Sequence, residues 1–239
     1  MCKIVVGEDN VITQQVIEAL LEGRCRQWWM AGNYAELLQH LKEQSPDLLL
    51  LDYHLDKDAQ EGIAEIRAIH PTLPIYILSA DPEAIIRKKM SGVDVAGFLQ
   101  KPLNGTMIDQ IIRPFTARED EQPARQSEGD YLNNLKALLG HNPERLQRIV
   151  KIFVEEAPAH FASMQTLIDQ KQWPQLKALV HRVRASYGYL GLQTLHERIT
   201  QWETDIEHQR NTESYSTILQ EIKSATEKLI EEIRLAVKI

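Results

Sequence analysis

The chain has little of what several function classes require. Its 239 residues hold only two cysteines, Cys2 and Cys25, with neither metal-site nor disulfide-framework spacing; they read as reduced, partly buried thiols. No apolar run approaches the length that spans a bilayer, and the opening MCKIVVGEDN lacks the apolar core of a signal peptide. A cytoplasmic protein, or a cytoplasmic piece of something larger, with no direct membrane insertion is expected. Excess positive charge is missing: the formal net charge is −7, against a nucleic-acid binder with its basic stripe. No Gly-rich nucleotide loop appears, which excludes a complete ATP-dependent kinase. No helix-turn-helix signature follows residue 117, which excludes a DNA-reading output domain.

What is present is ordinary for globular protein, 43% hydrophobic and 26% charged, in a length that accommodates two domains. Charge is unevenly placed. Residues 1–117 carry 11 Lys/Arg against 16 Asp/Glu, net −5, whereas residues 131–239 carry 14 against 13, net +1. The asymmetry fits an acidic, metal-holding site in the first half and a more basic face in the second.

Residues 1–117 alternate short apolar runs with amphipathic stretches. Strands are expected at 3–7, 24–30, 47–52, 74–79 and 96–99, and helices at 11–22, 34–42, 62–69, 83–90 and 106–115. In the first helix Val11, Val16, Ala19 and Leu20 share a side. Strands alternating with helices imply an α/β domain, a five-stranded parallel sheet covered on both faces. Residues 118–130, REDEQPARQSEGD, contain nothing that builds a core and read as a linker. From 131 to 239 only helical periodicity remains, over 131–139, 143–169, 174–190, 193–209 and 213–237. Short connections between long amphipathic helices predict an all-α antiparallel bundle.

In an open parallel sheet reactive side chains gather at the carboxyl ends of the strands. Here those ends present Glu8 and Asp9, Asp52, Ser79 and Lys101. Three carboxylates in one crevice repel one another unless a cation lies among them, and oxygen ligands suit Mg²⁺. Asp52 could then attack phosphorus while Ser79 and Lys101 hold phosphoryl oxygens, a catalysis of positioning and charge.

The segments VVGEDN, LLLLDYHL, ILSA and FLQKP resemble the response-regulator receiver family, and the likeness runs the length of residues 1–117. It implies a flavodoxin-like (βα)5 fold. Asp52 would be the phosphoacceptor, and Glu8, Asp9 and the backbone carbonyl of His54 would join it around Mg²⁺ or Mn²⁺. Ser79 would be the switch hydroxyl, Phe98 its coupled aromatic, Lys101 a phosphoryl contact, and Lys101–Pro102 a cis bond. The chain departs from the family pattern in the loop HLDKDAQEG, which is acidic at Asp56 and Asp58 and lacks the usual proline, and at Phe98, which lacks the commoner tyrosine's hydroxyl. The acidic loop is expected to alter metal affinity or phosphoryl lifetime.

Of eight histidines, His40, His70, His141, His160, His196 and His208 lie in polar surroundings without ligand pairing. His181 differs. Lys177, Arg184, Ala185 and Gly188 stand at i−4, i+3, i+4 and i+7, so they share its helix face, beside an apolar stripe of Leu176, Val180, Val183, Tyr187 and Leu190. Two cations could neutralise a phosphoryl group, two small residues could admit a partner, and a neutral imidazole is a competent nucleophile. VHRVRASYGYLG, PERLQRIVKIFVEEAP and QKQWPQLKALVH look like the helices of histidine-phosphotransfer (HPt) domains. That resemblance implies a four-helix bundle with one short extra N-terminal helix and makes His181 a second phosphoacceptor. Arg184 replaces the family's usual lysine and Ala185 its usual glycine; with bulky Tyr187 and Tyr189 they predict a narrower choice of partner receivers.

The resemblances together imply a phosphorelay protein, with an upstream sensor histidine kinase and a downstream receiver domain on another response regulator as partners. Two alternatives carry different expectations. A phosphorylation-switched sequestering regulator would use the bundle face without relay chemistry. The receiver–HPt tail of a hybrid sensor kinase would share the domain order.

Overall fold

In a computed structural model of the protein, residues 2–56, 59–115 and 143–237 are described. The chain divides into two compact units, Met1–Glu128 and Gly129–Ile239. The linker expected at 118–130, the short helix expected at 131–139, His141 and Asp58 lie outside the described residues.

The first unit is a five-stranded parallel sheet: β1 (Lys3–Gly7), β2 (Gln27–Ala31), β3 (Leu48–Asp52), β4 (Ile75–Ser79) and β5 (Gly97–Gln100). Helices α1 (Val11–Leu21), α2 (Tyr34–Glu43), α3 (Ala59–Ile69), α4 (Glu83–Lys89) and α5 (Gly105–Ile112) alternate with them. The order β2-β1-β3-β4-β5 is the flavodoxin-like order, with its chain reversal beside β1 and β3. Position in the sheet explains composition. β3 (LLLLD) is central and buried at every residue, whereas the edge strand β2 (QWWMA) is buried only at Ala31.

Asparagine starts three helices. Asn10, Asn33 and Asn104 accept hydrogen bonds from the N–H groups of Thr13, Glu36 and Met107 at 2.8, 2.9 and 3.0 Å, so each satisfies an N-terminal donor that the helix cannot. β2 starts at Gln27 instead of 24 because the end of α1 extends into this segment. Arg24 and Cys25 still donate to the Leu21 carbonyl, and Gly23 takes φ 74°. Similarly, Pro114 lies beyond Ile112, and α5 gives way to a 3-10 turn, Arg113–Phe115. One helix face needs correction. Val11 is exposed, and Ile12, Val16, Ile17, Leu20 and Leu21 carry the buried side of α1.

The second unit has four described helices, α6 (Pro143–Asp169), α7 (Trp173–Tyr189), α8 (Gln193–Glu207) and α9 (Tyr215–Val237). Contacts run α6–α7, α7–α8, α8–α9 and α9–α6, closing a four-helix ring with short connections, as an antiparallel bundle requires. Pro174 opens α7, where its missing N–H costs nothing. Gly191 at φ 72° ends the turn after it, and the Leu192 N–H returns to the Tyr187 carbonyl at 2.9 Å. Tyr187 is buried in this bundle, its ring edge-on to Phe153 at 5.3 Å and its hydroxyl 3.0 Å from Thr226.

A tight contact gives a test of the first unit. Gly62 on α3 sits under Tyr34 of α2, and a Cβ there would lie 2.5–2.7 Å from the phenol oxygen and ring carbons. Gly62→Ala is expected to cost about 1–3 kcal/mol by overpacking. In a Tyr34→Ala background it is expected to stabilise by about 0.5–1 kcal/mol through helix propensity. Urea unfolding of the four proteins checks the change of sign.

Candidate phosphoryl-accepting sites

The sheet brings Glu8, Asp52, Ser79 and Lys101 to one place. β1 and β3 are neighbours, so the residues after them converge; β4 delivers Ser79 beside Asp52, and the loop after β5 delivers Lys101. The Lys101–Pro102 peptide is cis. Glu8, Asp52, Ser79 and Lys101 are all buried, and Asp9 is partly exposed. Lys101 Nζ lies 2.6 Å from Glu8 Oε2 and 3.0 Å from Asp52 Oδ2. Asp52 Oδ1 accepts from the His54 N–H at 3.4 Å, and Ser79 Oγ accepts from the Asp81 N–H at 3.0 Å.

Glu8, Asp9 and Asp52 each offer an oxygen within 4.8 Å of the others. One ammonium among three acids leaves net negative charge in a largely buried place. Burial, and next the Asp52 charge, push the Glu8 carboxyl up to about 8 even against Lys101. An all-oxygen set with surplus negative charge fits a hard divalent cation such as Mg²⁺.

Two residues around this site make contacts of their own. Asp56 is exposed, and its carboxylate accepts from the Tyr34 N–H at 2.8 Å, tying the loop to the start of α2. Phe98 on β5 is partly exposed with the Arg87 guanidinium 5.0 Å from its ring centroid, an aromatic–cation contact between α4 and β5 that sequence alone does not show.

On α7, His181 is partly exposed. Its Nδ1 lies 2.7 Å from Oε1 of Glu203 on α8, and the other oxygen of that carboxylate lies 2.8 Å from Arg184 Nη1. One turn away, Lys177 pairs with Glu207 at 2.9 Å. A step back along α7 meets a step forward along α8, as antiparallel helices must. An ionised carboxylate only accepts, so in a neutral imidazole the proton sits on Nδ1 and Nε2 is the unprotonated nitrogen.

Sequence alone places Lys177 and Arg184 as cations flanking His181 and misses the acids that meet them. Each of these two cations meets a carboxylate of α8. The available signal was spacing: Glu203 and Glu207, four apart, match Lys177 and His181 in an antiparallel pair. The small residues also serve the bundle. Ala185 is buried, and a Cβ on Gly188 would meet the His196 ring at 3.4 Å, an ordinary van der Waals contact, so this position faces α8. Burial, then Arg184, lowers His196. Tyr189, like Tyr187, is buried, so neither tyrosine forms a bulky outer docking surface.

The response regulator receiver domain family matches residues 4–113, and the Hpt domain family matches residues 148–235. The chain is similar to transcriptional regulatory protein ZraR of Klebsiella oxytoca, 28% identical over 113 residues, 47% of this chain and 23% of that protein. It is similar to transcriptional regulatory protein CitT of Bacillus subtilis, 29% identical over 118 residues, 48% of this chain and 52% of that one. The matches thus span well under two thirds of either relative. Among solved structures, the receiver domain of sensor histidine kinase PA1611 from Pseudomonas aeruginosa, with magnesium coordinated in its active site cleft, matches with TM-score 0.43 and 26% identity over 47% of this chain and 95% of that one. CheY4 of Vibrio cholerae matches with TM-score 0.43 and 19% identity, over 48% and 99%.

The Glu8 shift has a stability consequence. Its folded value, about 8, lies above the ordinary value of 4.5, so the folded state binds the extra proton between these limits and Glu8 makes stability fall as pH rises through that window. In EDTA, Glu8→Gln is expected to flatten this part of the stability–pH curve and to raise stability most at the upper end of the window. Denaturant titrations across the window, wild type against Glu8→Gln, check the sign.

Proposed function

Since the chain joins a response regulator receiver domain to an Hpt domain, we propose that it is a two-component phosphorelay protein in which Asp52 and His181 each carry a phosphoryl group. The observation that carries the reading is the pair of nucleophiles, each held by a partner that suits its chemistry. Asp52 stands beside Lys101, and His181 has its Nδ1 on Glu203.

In the receiver, an Asp52 carboxylate oxygen attacks the phosphorus of a phosphohistidine supplied by a sensor kinase. The P–O bond to Asp52 forms as the P–N bond breaks, and the donor imidazole keeps the electron pair. Lys101 offsets charge on the phosphoryl oxygens, and the Ser79 hydroxyl donates to one of them. Glu8, Asp9, Asp52 and the His54 carbonyl would hold Mg²⁺, which supplies further positive charge to the phosphoryl oxygens.

In the bundle, Nε2 of His181 attacks the phosphorus of a receiver aspartyl phosphate. The P–N bond forms and the acyl P–O bond breaks, returning a carboxylate. The ring gains positive charge as it attacks, and Glu203 stabilises that charge through Nδ1–H, the role a buried carboxylate plays behind any nucleophile-activating imidazole. Arg184 holds Glu203 in place. Partners on this reading are a sensor histidine kinase upstream and a receiver on another response regulator downstream. Arg184, Ala185 and Tyr187 are buried within the bundle, so they form no outer surface on which a partner would be sequestered.

Phosphotransfer profiling against candidate kinases and receivers tests the proposal. Asp52→Asn is expected to abolish the acid-stable, base-labile acyl phosphate, and His181→Gln the acid-labile phosphohistidine. Glu203→Gln is expected to slow labelling of His181 about 10- to 100-fold, the cost seen when a metal-bound imidazole loses the partner of its second nitrogen. Equal labelling of wild type, Asp52→Asn and His181→Gln would overturn the reading.

A further inference from the structure

The two cysteines, 23 positions apart in sequence, come together in the fold. Cys2 leads into β1 and Cys25 into β2, at the end of the sheet opposite the acidic site. The parallel register sets Lys3 beside Gln27, and the Arg26 N–H donates to the Cys2 carbonyl at 2.9 Å. The turn that closes α1 through Gly23 drops Cys25 next to Cys2. Both are reduced thiols, 0% and 6% exposed. The Arg26 contact lays the peptide after Cys25 alongside Cys2, whose own thiol donates to the Lys3 carbonyl at 3.9 Å. Interaction with Cys2, helped by Arg24, lowers Cys25, while interaction with Cys25 and burial raise Cys2. Such asymmetry gives one sulfur thiolate character and keeps the other a thiol.

We propose that Cys2 and Cys25 are an oxidation site that closes to a reversible intramolecular disulfide on reaction with a hydroperoxide. The Cys25 thiolate sulfur attacks a peroxide oxygen, and the O–O bond breaks. With hydrogen peroxide the departing hydroxide takes a proton and leaves as water, with Cys25 as a sulfenic acid. The Cys2 sulfur then displaces hydroxide from that sulfur and gives up its proton to it, so the S–S bond forms and a second water leaves. The two thiols lose two electrons and the peroxide gains two. A dithiol reverses the step by exchange. Glu22, Gly23 and Arg26 around Cys25 are exposed, which offers the oxidant a short path, and a resolving thiol already in place intercepts the sulfenic acid before further oxidation. The site touches neither Asp52 nor His181 and does not depend on the phosphorelay reading.

The test uses the full chain, treated with hydrogen peroxide, quenched with catalase, then denatured and alkylated. The expected result is loss of both alkylatable thiols, a mass lower by about 2 Da, and one cross-linked peptide containing Cys2 and Cys25, all reversed by dithiothreitol. The melting midpoint of the receiver is expected to rise on the order of 5–10 °C, since the cross-link restrains the unfolded chain. Cys2→Ser is expected to stop at a Cys25 sulfenic acid that dimedone traps. Should Cys2→Ser fold poorly, the wild-type peptide map decides alone. Two thiols still alkylatable, over-oxidation to sulfinic acid, or cross-links only between chains would each overturn the proposal.

Discussion

Lys101 stands between two buried carboxylates. Its ammonium is 2.6 Å from Glu8 and 3.0 Å from Asp52, and the rest of the first unit serves that placement. A buried ion costs several kcal/mol unless a counter-ion meets it, so the carboxyl ends of β1 and β3, the Asn10 cap that follows Glu8 and Asp9, and the turn after β5 must all agree to within hydrogen-bond distances. Even so, one cation does not balance three acids, and burial, then the Asp52 charge, keep the Glu8 carboxyl raised even against Lys101.

The second unit answers the same constraint with a different balance. Glu203 is buried and meets two partners, the imidazole of His181 and the guanidinium of Arg184. Lys177 and Glu207 repeat the pairing one turn away. The shared carboxylate also explains an arginine where a lysine would be expected. A planar guanidinium can fix the angle of a carboxylate, where an ammonium acts as a point charge.

Much of this was legible in the sequence, for reasons that can be named. DLLLLD is apolar on both faces, which only a central strand tolerates, so Asp52 at a carboxyl end followed directly. The helices of the second half carried their own punctuation in Pro143, Pro174 and Gly191. What escaped were relations between elements. Glu203 is 22 positions from His181, and its meaning depends on which face α8 turns to α7. Cys2 and Cys25 meet only because β1 and β2 pair in parallel after α1 turns back. Asp56 looks in sequence like part of an acidic loop, yet its carboxylate accepts from the Tyr34 N–H at the start of α2. Composition told the sign of the first half correctly, but in the second half net charge hid that Lys177 and Arg184 already meet acids.

The two balances bear on how long each site would keep a phosphoryl group. A phosphoryl group brings up to two negative charges. On the proposed reading, the receiver meets them with Lys101 and with the cation its surplus acidity attracts, so binding metal and accepting phosphoryl reinforce each other. In the bundle, Lys177 and Arg184 already meet Glu207 and Glu203, and Glu203 stabilises the ring rather than the phosphoryl oxygens. A phosphoryl group on Nε2 would therefore rest on a well-oriented nitrogen without a strong local electrostatic trap. Such a site favours passing the group onward over storing it. Its transition-state charge would be met chiefly by the acidic site of the receiver that donates or accepts, where Lys101-like and metal charge are concentrated.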